Sequence, residues 1–108
     1  MLRKILKAAI FLCASLSLTV ATAGPTWQPG EIWDHSAVGG GLLIRFNPAV
    51  TAMPDNCAGA IWMFIPETNK TIIAVTLMAI ASGNRNVMVY TSGLVSGFCM
   101  VTQVDPNN

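Results

Sequence analysis

Read from the amino end, the chain changes its hydrophobic pattern several times. Residues Ala8 to Val20 form an uncharged apolar run. Beyond it, apolar and polar positions alternate in short stretches bounded by Gly, Pro, Asn and Asp. That alternation is the period of a strand with one buried face. Together with the β-favouring Ile32 and Trp33 of the first and the continuous apolar run of the third, it predicts strands over 31–38, 42–46, 57–65, 86–91 and 98–104. In the second of these, Leu42, Ile44 and Phe46 share one face, and Leu43 and Arg45 share the other. The third, Cys57 to Ile65, is apolar on both faces, so Trp62 reads as a core residue. Gly39-Gly40-Gly41 breaks the chain between the first two strands, and the Asn47 to Asn56 stretch, with Pro48 and Pro54, is a loop.

Lys70 to Ser82 differs in kind. Thr68 or Asn69 stands where an N-cap is needed, Gly83-Asn84 is a stop, and Ala74, Leu77, Met78, Ala79 and Ala81 favour a helix. Three β-branched residues (Ile72, Ile73 and Val75) oppose it mildly. Length and caps decide for the helix. The element order is then β-β-β-α-β-β. Five strands with a helix between the third and fourth is the order of a five-stranded OB-fold-like barrel, mainly β with one helix.

The apolar run at the amino end has its own meaning. Arg3, Lys4 and Lys7 precede it, and Ala21-Thr22-Ala23 follows it as a small-x-small site. Basic, apolar and small-residue regions in that order predict a cleavable signal peptide over 1–23. The run is shorter than the ~20 residues of a spanning helix. Cleavage leaves one domain, 24–108, secreted or periplasmic, with no membrane span. It also reverses the charge. The whole chain is formally +1, but residues 24–108 hold Arg45, Lys70 and Arg85 against five acids, a balance of −2. That excludes the basic footprint of a nucleic-acid binder.

Cys13 leaves with the signal, so Cys57 and Cys99 remain as one possible pair. In an oxidising compartment they are expected to form a structural disulfide. Closing a loop of that length is worth about 4 kcal/mol in the chain-entropy model, a large term for a domain with a thin core. In an OB-fold order the third and fifth strands are neighbours. A Cys57–Cys99 bridge therefore also fits the expected fold.

Asn56-Cys57, the apolar strand ending at Pro66, the helix ending Ala79-Ile80-Ala81-Ser82-Gly83, the strand Asn86-Val87-Met88-Val89-Tyr90 and the late Cys99 form one pattern. It resembles small exported OB-fold proteins, in particular the B subunits of AB5 toxins of the subtilase-cytotoxin and pertussis-toxin type. The resemblance implies an OB-fold and a ring of five copies. In such toxins the B ring binds surface glycans. No sugar-contacting motif matches residue by residue, so no glycan site is carried over.

The helix points to assembly independently. From Thr71 to Ser82 only Thr71, Thr76 and Ser82 are polar, and they do not make one wide polar face. A single small domain covers one side of a helix, so the other side is expected to meet a second copy.

Catalytic chemistry is poorly supplied. His35 is the single histidine, and its neighbours Asp34 and Ser36 do not face it along a strand. One histidine with scattered carboxylates makes no metal site. Glu31 and Asp34 form no specific glycosidase pair. Gly39-Gly40-Gly41 lacks the lysine and spacing of a phosphate loop. No catalytic residue, metal ligand or cofactor is expected. Trp27 and Trp33 are the ligand-binding candidates, Trp27 because it precedes the first strand. The expected function is a non-enzymatic, self-assembling protein that binds a glycan or another protein. A monomeric envelope protein with a structural or inhibitory role is the alternative.

Overall fold

The computed structural model of the chain describes residues 24–47 and 52–106. Residues 1–23, expected from the sequence to be a signal peptide, lie outside them. Among the described residues there are five strands and one long helix: β1 (Trp27–Val38), β2 (Gly41–Phe46), β3 (Met63–Pro66), α1 (Lys70–Ser82), β4 (Asn86–Val95) and β5 (Phe98–Asp105). A single 3₁₀ turn spans Asp55–Cys57. The sheet closes on itself in the order β1-β2-β3-β5-β4. The β3–β5 pairing is parallel, and the other neighbours are antiparallel. The chain has the expected mainly β, OB-fold-like architecture.

Closure follows from alternation. Ile32, Leu42, Ile44, Met63, Ile65, Val87, Val89 and Val101 are all buried, and they enter one common core from all five strands. Each is flanked on its strand by more exposed residues, so burying one face of each segment requires the sheet to curl around those side chains.

Several boundaries differ from those the sequence predicts, each for a tertiary reason. β1 starts at Trp27, not Glu31, because Trp27 to Glu31 pair with Tyr90 to Asn86 of β4. The strand then changes partner, and Ile32 to Val38 pair with β2. Gly30 lets the Phe46 ring approach the backbone at this point, since a Cβ there would meet it at 3.0 Å. β4 runs on through Ser92-Gly93, where a loop is expected, because an irregularity between Thr91 and Leu94 absorbs the extra residue. Gly93 takes φ 113° at that point. Ser96-Gly97 alone makes the tight turn, with positive φ at both residues and Val95 facing Phe98.

β3 is shorter than the 57–65 strand expected. Cys57 ends the 3₁₀ turn rather than opening a strand. The Ala60 amide donates to the Cys57 carbonyl, and Gly59 has φ 87°, so the chain turns before pairing can begin. Cys57 and Cys99 are nevertheless joined, with Cα atoms 5.3 Å apart. The bridge ties the turn to β5.

The helix has the bounds the sequence predicts. Asn69 occupies the N-cap without a side-chain capping bond, and Gly83 ends the helix in the left-handed conformation. Thr76 and Ala79 are buried, and Ile72, Val75 and Ile80 pack against the core beside them. The hydroxyl of Thr76 donates to the Ile72 carbonyl at 2.7 Å, which satisfies it inside the protein.

Candidate functional site

The strongest concentration of chemistry lies on the outer surface of β1, β2 and the residue before β3. Alternation puts Ile44 and Phe46 inward, which turns Arg45 outward. On β1 the register slips by one between Ile32 and Asp34: Ile32 faces Phe46, Asp34 faces Arg45, and Trp33 is the extra residue. Such a bulge re-aims the side chain it inserts. The Arg45 guanidinium carbon sits 4.8 Å from the Trp33 ring centroid and 4.6 Å from that of Trp62. Trp62 is held in place because its carbonyl accepts the Cys99 amide at 3.0 Å.

Arginine over an indole face is attracted to the ring's negative quadrupole. Two such contacts plus a facing carboxylate make a stack across three consecutive segments. Asp34 Oδ2 accepts from Arg45 Nη2 at 3.3 Å. Its other oxygen accepts the His35 amide at 2.8 Å. Arg45 Nε is shielded from solvent and has no hydrogen-bond partner.

Arg45 also forms one wall of a cleft of about 270 Å³. Phe46, Met53, Ile61 and Met63 line it too, together with Ala52, Gly59 and Ala60. The disulfide anchors the segment carrying Gly59 to Ile61. A polar clasp secures the turn before it. Asn56 Nδ2 donates to the Thr91 carbonyl at 2.9 Å, and the Thr91 hydroxyl donates to Asn56 Oδ1 at 2.7 Å. Asp55 and Asn56 amides donate to the carbonyls of Gly24 and Pro25.

The candidate tryptophans separate. Trp33, half exposed at 51%, joins the Arg45 stack. Trp27, 40% exposed, has its ring against Gly24, where no Cβ would fit, and it contributes nothing to the stack. Trp62 is not a core residue as its apolar surroundings predict. It is only half-buried, because β3 starts one residue later and its inward positions are Met63 and Ile65. Arg45 and Trp62 are the residues that sequence reasoning missed. The available signal was the placement of Arg45 on the outward face of an otherwise apolar strand.

His35 and Glu31 are exposed. No group of three His, Cys, Asp or Glu residues that could hold a metal ion occurs among the described residues. None of their helices is long and apolar enough to cross a membrane.

Two further surfaces are apolar. On α1, Ala74, Leu77, Met78 and Ala81 form an exposed stripe at helical spacing, with Leu77 44% and Met78 60% accessible. Between the β1–β2 and β4–β5 turns lies a groove of about 370 Å³ lined by Val38, Leu43, Phe64, Val95, Phe98 and Met100. The two share no residue. No protein-family model, curated protein or solved structure matches the chain.

Proposed function

We propose that this chain is an exported, self-assembling binding protein without catalytic activity, whose copies meet through the outer face of α1. The observation that carries the reading is the stripe Ala74, Leu77, Met78 and Ala81, exposed on a helix whose opposite face is already buried. The one polar residue in mid-helix, Thr76, lies on the inner side and is satisfied there. Between Thr71 and Ser82 the outer stripe therefore has no polar group to hold water. Contiguous exposed apolar surface of this kind marks interaction sites.

The groove between the two hairpin turns supplies a second, different apolar surface. Two unlike surfaces on one chain suit head-to-tail contacts, which close into rings. This fits the five-membered ring that the resemblance to AB5 B subunits implies, with a glycan or protein ligand on its exposed face. The Cys57–Cys99 bridge supports a secreted or periplasmic location, since such bonds persist in oxidising compartments.

Native mass spectrometry of the exported, oxidised protein tests the proposal. The expected result is an oligomer that the double variant L77E/M78E converts to a folded monomer. A wild-type monomer at micromolar concentration would remove self-assembly and favour the other class, a monomeric envelope protein with a structural or inhibitory role.

A further inference from the structure

We propose that the cleft beside Arg45 binds a small organic carboxylate with an apolar body. The inference rests on the reading of the chain as a binding protein, but not on its assembly.

The donor inventory of Arg45 comes first. A guanidinium carries five N–H donors in one plane. With Trp33 and Trp62 flanking the group, recognition is left to its edges. Asp34 is the only hydrogen-bond partner of the guanidinium among the described residues, and its 3.3 Å contact is longer than the ~2.7–2.9 Å of a charge-assisted bond. Nε is shielded from solvent and unpartnered. The folded chain thus positions a cation between two aromatic rings, with Nη2 on Asp34 and with Nε buried and unpaired, which is costly. An incoming carboxylate supplies two acceptors in the geometry a guanidinium edge prefers.

The cleft defines the rest of the ligand. Arg45 is the single charged residue lining it among the described residues, so one negative charge is matched and a second would be unpaired. The other side chains that line it, Phe46, Met53, Ile61 and Met63 among them, are all apolar. Beyond Arg45, a sugar ring would find no polar side chain for its hydroxyls among the described lining residues, whereas an aliphatic or small aromatic body would lose only water. About 270 Å³ lies just below the range of drug-sized sites and suits a short acid. Asp34 competes with the ligand for the same guanidinium. Its removal should therefore strengthen binding, the opposite of what a purely structural stack predicts.

The test is titration of the exported, oxidised protein with hexanoate, followed by tryptophan fluorescence and by the indole N–H resonances of Trp33 and Trp62. Saturable binding is expected, with both resonances shifting. Arg45→Gln should weaken it at least ~10-fold, in keeping with loss of a charged hydrogen-bonding group. Asp34→Asn, which keeps an oxygen for the His35 amide, should tighten it about two- to fivefold as the competing charge is lost. Ile61→Ala, at a position 66% exposed, should weaken it a few-fold at about one lost side chain while the fold stays intact. Hexanol and glucuronate should bind at least ~10-fold more weakly than hexanoate. The proposal is overturned by any of three results: no saturable response to hexanoate, equal binding of hexanol or glucuronate, or weaker binding by Asp34→Asn. Because Asp34 and Ile61 lie at the surface, their variants decide the matter even if Arg45→Gln does not fold. Equal hexanoate affinity in wild type and L77E/M78E separates this proposal from the one on assembly.

Discussion

Two segments outside the strands cover the closed sheet, and they are held in opposite ways. The stretch from Pro54 to Trp62 has one short 3₁₀ turn and few apolar anchors. It is secured by the disulfide, by the Asn56–Thr91 clasp and by backbone bonds to Gly24 and Pro25. Helix α1 has no such links. It is held by Ile72, Val75, Thr76, Ala79 and Ile80 against the core, and it leaves a second apolar stripe outside. The first segment is complete within one chain, and each polar group in its clasp has its partner. The second is complete only on its inner side. Specific links fix a segment that must shape a cleft wall, whereas a non-directional apolar contact suffices for a helix and leaves surface for a neighbour.

Substitutions can break this contrast. The largest effect is expected from replacing both Cys57 and Cys99 by Ala. Urea unfolding should show a loss of about 4 kcal/mol, and the cleft wall at Gly59 to Ile61 should lose its anchor before α1 loosens. Hydrogen exchange would show the order. Equal loosening of both segments would refute the contrast.

Thr91→Val comes next. It leaves Asn56 Oδ1 without its donor in a half-buried setting, for a cost of about 1–3 kcal/mol by the same unfolding measurement. The smallest effect belongs to Thr76→Val. Its hydroxyl donates to a carbonyl that the helix ladder already satisfies, so removing it should change stability by no more than about 0.5 kcal/mol. Similar costs at Thr91 and Thr76 would erase the distinction between a polar clasp and an apolar seat.

Parts of this arrangement are legible in the chain itself. The inward set Leu42, Ile44 and Phe46 follows from alternation, and the helix from Lys70 to its Gly83 stop follows from propensity and capping. Both are local: the residues that decide them lie within a few positions of one another. The excess of apolar residues on α1 is equally readable, although which of the polar residues turns inward is not. Thr76 was one of three polar positions and became the buried one.

The candidate site was less legible. Trp33 was picked out for its side chain alone. Nothing local marks Arg45 as its partner, because they meet only through a one-residue slip between β1 and β2. Trp62 misled for a related reason. An apolar run does not reveal which of its positions face inward until the neighbouring strand sets the register. Asn56 and Thr91 stand 35 positions apart, and no periodicity links them.

Sequence by itself determined the element order, the inward face of β2 and the extent of the helix and, with Cys13 expected to leave with the signal, offered one cysteine pairing. These depend on side-chain period, backbone propensity and counting. Tertiary structure alone decided that β1 bends from β4 to β2, that Cys57 closes a turn rather than opening a strand, and that Arg45 lies between Trp33 and Trp62 beside a cleft. Each of those depends on lateral register and closure of the sheet, which are set by how strands fit together and not by the pattern along any one of them.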